Sequence, residues 1–160
     1  KTSPLQAFQE GQVQEIHVWW GGLKRNGDLL LLLAYLLTRN PDWHNARIRI
    51  LSIASNELMK AQTERFLARL IPEIRIQADI EITVKADGES VVDLMHRESG
   101  EADAVLLGLA TPGEGDEEAY ADRLDELAEG FQSCFFVHNG SLFLGELVTP
   151  EKVEIQNDEV

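Results

Sequence analysis

The chain has a single cysteine, Cys134, among its 160 residues. An internal disulfide and a Cys-x-x-Cys zinc site each need at least two cysteines, so the sequence excludes both. Because Cys134 lies in an apolar run, we interpret it as a small core residue rather than as a nucleophile. The scarcity of cysteine fits a reducing, cytoplasmic setting.

Long apolar runs are also missing. The longest, residues 29–37, has nine residues, whereas a helix that crosses a bilayer needs about 20. Residues 1–15 are polar and lack the apolar centre of a signal peptide. We therefore predict that no part of this sequence inserts into a membrane.

Basic residues are few: 14 Lys and Arg stand against 28 Asp and Glu, which gives a net charge of −14. A domain with this charge does not attract phosphate backbones, so nucleic acid is excluded as an expected partner. Anionic lipid surfaces repel it as well.

The remaining composition is that of an ordinary globular domain, with 44% hydrophobic and 26% charged residues. We expect a linker over residues 1–12, one domain over 13–150 and a charged tail over 151–160. Because the chain starts at Lys1 without a methionine, we expect it to be a piece of a longer protein.

Strand-like and helix-like patterns alternate along the domain. Strands are predicted over 15–20, 46–53, 78–84, 104–109 and 133–137, and helices over 29–38, 57–70, 87–100 and 116–130. The first helix is expected to follow a turn at Asn26-Gly27 and to be capped by Asp28. Asn56 is expected to cap the second helix, and Gly100 to end the third. This alternation predicts the α/β class: one doubly wound, parallel, five-stranded sheet with helices on both faces. The first and fourth strands are the most apolar and the third alternates strictly, which favours the order 3-2-1-4-5.

That order leaves the fifth strand at an edge, although it is too apolar for an exposed edge. Pairing with a second copy of the chain, or coverage by the apolar run 141–148, would resolve the conflict. We favour a homodimer, and its candidate interface residues are Phe135, Phe136, Val137, Phe143 and Leu144.

Open α/β sheets bind ligands beyond the carboxyl ends of their strands, at the point where the strand order reverses. Here that crevice lies between the first and fourth strands. Its weak candidate ligand-binding residues are Trp20, Gly21, Gly22, Gly108, Thr111 and Gly113. No complete phosphate-binding glycine motif is present, and acidic residues follow Gly113, so we expect no cofactor.

Catalytic and metal-binding patterns are absent from the sequence. The four histidines show no metal-ligand spacing, and no serine lies in a Gly-x-Ser-x-Gly context. We therefore predict a protein that is not an enzyme and holds no metal.

One block of the sequence is distinctive. A tryptophan-rich strand end and glycine turn (residues 18–23) lead into a leucine-rich run (27–37), followed by Trp43, an Arg/Ile strand (47–50) and a late apolar strand (103–109). In these features the chain resembles the cytosolic C-terminal domain of the cation–chloride cotransporters, a family of the amino acid–polyamine–organocation transporters.

The resemblance implies a fold like that of universal stress proteins. It also implies a non-catalytic regulatory and dimerisation domain on the cytoplasmic side of the cell membrane, supporting ion transport by its own transmembrane domain. The lack of long insertions suggests a prokaryotic member. The alternative is a stand-alone universal-stress-type protein that binds a nucleotide, although the ATP-binding glycine motif of those proteins is not matched here.

Overall fold

The computed structural model describes residues 13–21 and 24–140, and of Lys24 and Arg25 only the backbone. Within these residues, five strands and four α-helices alternate: β1 (Glu15–Trp19), α1 (Lys24–Thr38), β2 (Arg47–Ala54), α2 (Glu57–Glu73), β3 (Ala78–Val84), α3 (Val91–Ser99), β4 (Ala104–Gly108), α4 (Glu117–Ala128) and β5 (Cys134–Val137). A short 3₁₀ helix, Pro41–Trp43, lies between α1 and β2.

The five strands form one parallel sheet in the order β3-β2-β1-β4-β5. The predicted α/β class, parallel sheet and strand order are therefore confirmed. β1 and β4 are central, and β4 is buried along Ala104–Leu107, as expected of a strand covered on both faces.

Two apolar layers enclose the sheet. Helices α1 and α2 cover one face, where Leu31 of α1 and Leu67 of α2 are inaccessible to water beside Ile16 and Ile50. Helices α3 and α4 cover the other face, and Leu94 of α3 is equally buried there. The predicted arrangement of helices on both faces is thus confirmed.

Helix α1 begins earlier than predicted. It starts at Lys24 and includes Asn26 and Gly27, so the predicted turn at these two residues and the predicted N-cap at Asp28 are wrong. Long-range hydrogen bonds of Asn26, described below, hold this first turn in the helix and override the local turn preference.

Other helix ends differ in detail. Ser90 rather than Asp87 caps α3, since its hydroxyl accepts from the Val92 and Asp93 N–H groups. Gly100 ends α3 in a right-handed conformation with φ −61°, so it does not use the left-handed conformation that glycine permits. A left-handed conformation does occur just after α2, where Arg75 has a φ of 56°. The predicted Asn56 cap of α2 is confirmed.

Candidate functional site

The expected crevice lies between the carboxyl ends of β1 and β4, whose following helices pass to opposite faces of the sheet. Its volume is about 260 Å³. Of the candidate residues, Trp20, Gly21 and Gly108 line it. Among the residues whose side chains the structure describes, those that line the crevice are all uncharged, so they offer no charge to a phosphate group.

Trp20 forms one wall of the crevice. Its ring lies against Gly27, so that a Cβ at position 27 would be 2.6 Å from the nearest ring carbon. On its other side the ring meets Phe66, with 6.1 Å between ring centroids and a 43° tilt. The main-chain carbonyl of Trp20 accepts from the Ser52 hydroxyl at 2.8 Å. Trp20 therefore joins α1, α2 and β2.

Asn26 occupies the point where the strand order reverses. Its Nδ2 donates to the Leu109 carbonyl at 2.7 Å, and its Oδ1 accepts from the Asn139 N–H at 2.9 Å. The space beside Gly108 is filled as well, since a Cβ at position 108 would lie 3.0 Å from the Asn26 Cβ. A buried asparagine thus ties α1 to the ends of β4 and β5, where a ligand would otherwise bind.

The other candidates do not contribute to the crevice. Thr111 and Gly113 are exposed in the loop after β4, where a Cβ at position 113 would lie 2.9 Å from the Asp116 carboxylate. The Tyr120 hydroxyl accepts from the Ala110 N–H in the same loop, at 3.0 Å. Gly22 lies outside the described residues. Thr111 and Gly113 thus lie apart from the three candidates that line the crevice, in a loop that contacts α4.

A polar network under β1 was not anticipated from the sequence. His17 is only 2% exposed, and its Nδ1 and Nε2 lie 2.8 Å from the Ser99 hydroxyl and 3.1 Å from the Glu15 carboxylate. The Trp19 indole N–H donates to the same hydroxyl at 3.0 Å. A carboxylate can only accept a hydrogen bond, so the neutral His17 ring carries its proton on Nε2 and donates it to Glu15. The Nδ1 atom then accepts a hydrogen bond from the Ser99 hydroxyl. Burial lowers the pKa of His17, and the nearby Glu15 only partly offsets this.

Ser99, His17 and Glu15 have the order of a serine-hydrolase triad, but their setting rules out that chemistry. Ser99 is fully buried, and its oxygen already accepts from Trp19. A nucleophile must reach its substrate. These residues instead join the end of α3 to β1.

Charged side chains continue this network across the sheet. Arg49 pairs with Glu81 and lies 3.8 Å from Glu15, and Arg47 lies 3.8 Å from Glu15 and 4.0 Å from Asp79. These pairs are largely exposed, so each contributes little to stability. They place charge on β3, the edge opposite β5.

The β5 edge has a different character. Phe135 is 47% exposed, while Phe136 and Val137 are half-buried. Phe143 and Leu144 lie outside the described residues. No charged side chain occurs in β5, although charge is the usual protection of an exposed strand edge.

Two further observations concern the described residues, 13–21 and 24–140. No three His, Cys, Asp or Glu side chains among them are grouped as metal ligands. No helix in this part of the chain is long and apolar enough to span a bilayer.

These features define a doubly wound α/β domain in which Asn26 bonds across one side of a crevice of about 260 Å³. Comparison with known proteins gives the family: residues 2–93 match the model of solute carrier family 12. Because this match covers more than half of the chain, the chain belongs to that family. The resemblance to the cation–chloride cotransporters is thus confirmed at family level.

Individual relatives agree with the family match. Solute carrier family 12 member 9 of Rattus norvegicus and of Mus musculus are each 32% identical over 95 residues, or 59% of this chain. The matched stretch covers only 10% of each relative. The chain therefore matches only a small part of the length of each of these relatives.

Proposed function

We propose that this chain is a non-catalytic, cytosolic regulatory domain of a cation–chloride cotransporter. The observation that carries the proposal is the family match over residues 2–93, which includes all of β1, α1, β2, α2 and β3. In this proposal the domain lies on the cytoplasmic side of the cell membrane and supports ion transport by its own transmembrane domain.

The hydrogen bonds made by the polar groups of the crevice support a regulatory rather than a catalytic role. Asn26 uses both ends of its amide within the protein, and the Ser52 hydroxyl donates to the Trp20 carbonyl. The serine–histidine–carboxylate group of Ser99, His17 and Glu15 is centred on a fully buried Ser99. These residues hold elements of the fold together, which suits a domain that transmits contacts rather than transforms a substrate.

The same observations count against the alternative, a stand-alone universal-stress-type nucleotide-binding protein. The described lining residues of the crevice carry no charge and the loop after β4 is exposed and acidic, so these parts of the chain give a triphosphate few partners. Thermal unfolding with millimolar ATP separates the two functions. We expect no change in Tm, and a reproducible rise would favour the nucleotide-binding alternative.

We further propose that the domain forms a homodimer on the β5 side of the sheet, through Phe135, Phe136, Val137, Phe143 and Leu144. The contrast between the two edges supports this side. Asp79 and Glu81 of β3 are 72% and 45% exposed and protect that edge with charge, whereas β5 presents the exposed Phe135. Light scattering at rising concentration tests the dimer, and a strict monomer at high micromolar concentration contradicts it.

The transport role is tested in the complete transporter. A substitution that destabilises this domain should alter chloride-dependent cation uptake per transporter. Counting the transporters at the cell surface separates this effect from a change in their number. The prokaryotic origin suggested by the short sequence stays a prediction.

A further inference from the structure

Helix α1 carries no charged residue after Asp28. Residues 29–38 have the sequence Leu-Leu-Leu-Leu-Leu-Ala-Tyr-Leu-Leu-Thr. A helix that is apolar on all sides is normally buried on all sides. In α1 only the side toward the sheet is fully buried, at Leu30, Leu31 and Ala34. The helix therefore has more apolar surface than the described part of the chain covers.

Partly exposed leucines lie on the flank of α1 that faces the end of β5. Asn26 marks this flank, because its side chain accepts from the Asn139 N–H just after β5. Leu29, Leu33 and Leu36 follow Asn26 by 3, 7 and 10 residues, so helical periodicity places them on the same flank. Leu29 and Leu33 are half-buried, and Leu36 is 52% exposed. We call these three residues the leucine face.

Helix α2 approaches α1 from the opposite side. There the Trp20 ring lies between Gly27 of α1 and Phe66 of α2. Gly27 and Leu36 are nine residues apart, which places them on opposite sides of the helix. The leucine face therefore points away from α2.

Phe135 adds apolar surface on the same side of the sheet. Side chains alternate between the two faces of a strand. Val137 packs with the apolar layer on the α1 side, whereas Cys134 and Phe136 pack with the layer on the other side. Phe135 therefore points to the face that carries α1, where it is 47% exposed. The leucine face and Phe135 thus lie on one side of the sheet, near the edge where the homodimer is proposed.

Charge favours a second copy of the chain as the partner of this surface. Two copies with a net charge of −14 each repel one another, so they can approach closely only where charge is absent. Residues 29–38 and β5 lack charge, whereas α4 carries five acidic residues among its twelve. An anionic membrane surface is less suitable, because it attracts Lys and Arg and residues 29–38 contain neither.

The size of a stable interface also requires more than the β5 edge. This strand has four residues and is therefore only about 13 Å long, whereas a stable interface buries about 800 Å² on each partner. Pairing of two β5 strands about a two-fold axis perpendicular to the sheet keeps both α1 helices on the same face. The leucine faces then lie beside the joined edges and can supply the missing area.

We propose that the leucine face of α1 packs against the leucine face of a second copy, with Phe135 of each chain between the two helices. This inference rests on the proposed homodimer and names its main contact. Because the contact is apolar and the two copies repel, added salt screens the repulsion and strengthens the dimer. A dimer held by ion pairs would be weakened by salt instead.

Sedimentation equilibrium of the 160-residue chain measures the dissociation constant (Kd) of the dimer. Leu36→Glu should raise the Kd by about tenfold or more, because it places a charge in an apolar contact. Leu36→Gln should raise the Kd as well, without a change in net charge. Leu58→Glu is the matched control, with the same change at a 65% exposed position on α2, and should alter the Kd by less than about twofold.

Thermal unfolding of each variant shows that it is folded before its Kd is compared. A Kd that is unchanged in both Leu36→Glu and Leu36→Gln overturns the proposal. A Kd that rises with added salt overturns it too, because the contact would then depend on ion pairs.

Phe135→Asp separates this inference from the homodimer itself. If Phe135→Asp weakens the dimer while both Leu36 variants leave it unchanged, the homodimer on the β5 side stands and the leucine face is not part of it. A chain that is strictly monomeric at high micromolar concentration, with and without added salt, overturns both. Neither result involves ion uptake, so the proposed transport role is tested separately.

Discussion

The side chain of Asn26 accepts a hydrogen bond from the main-chain N–H of Asn139, 113 residues further along the chain and 2.9 Å away. Its amide nitrogen donates to the Leu109 carbonyl at 2.7 Å. One side chain on α1 therefore joins the segments that follow β4 and β5. Because Asn26 is 7% exposed, water cannot readily replace these bonds.

Asn26→Ala should destabilise the domain by about 2–3 kcal/mol, since it leaves two main-chain groups without their partner. Urea denaturation measures the change in the free energy of unfolding. Asn45→Ala is the matched control, because Asn45 is exposed, and it should change stability by less than about 0.5 kcal/mol. Equal effects of the two substitutions would show that the Asn26 bonds contribute nothing to stability.

Gly27→Ala should also destabilise the domain, because the new Cβ would lie 2.6 Å from the Trp20 ring. Overpacking costs about 1–3 kcal/mol, against a gain of about 1 kcal/mol from the better helix propensity of alanine. Repeating the substitution in a Trp20→Leu background removes the clash. The change should then be neutral or stabilising, and a loss of the same size in both backgrounds would contradict the close approach.

Arg75→Gly should stabilise the domain by about 1 kcal/mol, because Arg75 holds a φ of 56° that disfavours any residue with a Cβ. Arg75→Ala removes the same charge but keeps the Cβ, so it serves as the control. Thermal unfolding of the three proteins gives the comparison. A glycine variant no more stable than the alanine variant would argue against left-handed backbone at this position.

Stability should fall as the solution becomes acidic, owing to His17. Burial lowers the pKa of His17 in the folded protein below its ordinary value of 6.5, so the unfolded chain binds the proton more tightly. The contribution of His17 to the free energy of unfolding therefore has its full value above about pH 6.5. As the pH falls from 6.5 to the folded-state pKa, the free energy of unfolding decreases by at most about 1.4 kcal/mol per pH unit.

Unfolding measured from pH 8 to pH 5 in the wild type and in His17→Gln checks this contribution. His44→Gln is the control, because His44 is exposed just after the 3₁₀ helix. The wild type and His44→Gln should lose stability with a steeper slope than His17→Gln in this range. Identical slopes in all three proteins would exclude His17 as the source.

Alkylation of Cys134 should be slow, because burial raises its pKa to about 11 and little of the reactive thiolate exists near neutral pH. The rate of iodoacetamide labelling at pH 8, compared with that of free cysteine in the same buffer, measures this. We expect labelling at least about tenfold slower than free cysteine. A rate equal to that of free cysteine would mean that Cys134 is not in the environment described.

Local patterns in the sequence were sufficient to predict the layout of the sheet. The continuous apolar run of β4 and the alternating charges of β3 distinguish a central strand from an edge, and this contrast fixed the strand order. The start of α1 could not be predicted in the same way. Asn26 and Gly27 locally favour a turn, but the bonds to Leu109 and Asn139 depend on residues more than 80 positions away.

The structure brings together only part of the candidate site. Trp20, Gly21 and Gly108 follow directly from the ends of β1 and β4. Thr111 and Gly113 lie away from these residues, because the direction of the loop after β4 depends on its contacts with α4. The burial of His17 beside Ser99 was likewise beyond local patterns, because it depends on where α3 ends over β1.

The central claim, that this domain regulates a cation–chloride cotransporter, is tested most directly by chloride-dependent rubidium and sodium uptake in cells that express the complete parent transporter. The comparison is between Asn26→Ala and Asn45→Ala in this domain, with transporters at the cell surface counted by surface labelling. We predict that Asn26→Ala changes uptake per surface transporter by about twofold or more, and that Asn45→Ala leaves it unchanged. Uptake per transporter that is the same in the wild type and in both variants, with the domain of Asn26→Ala shown to be destabilised, would contradict the claim.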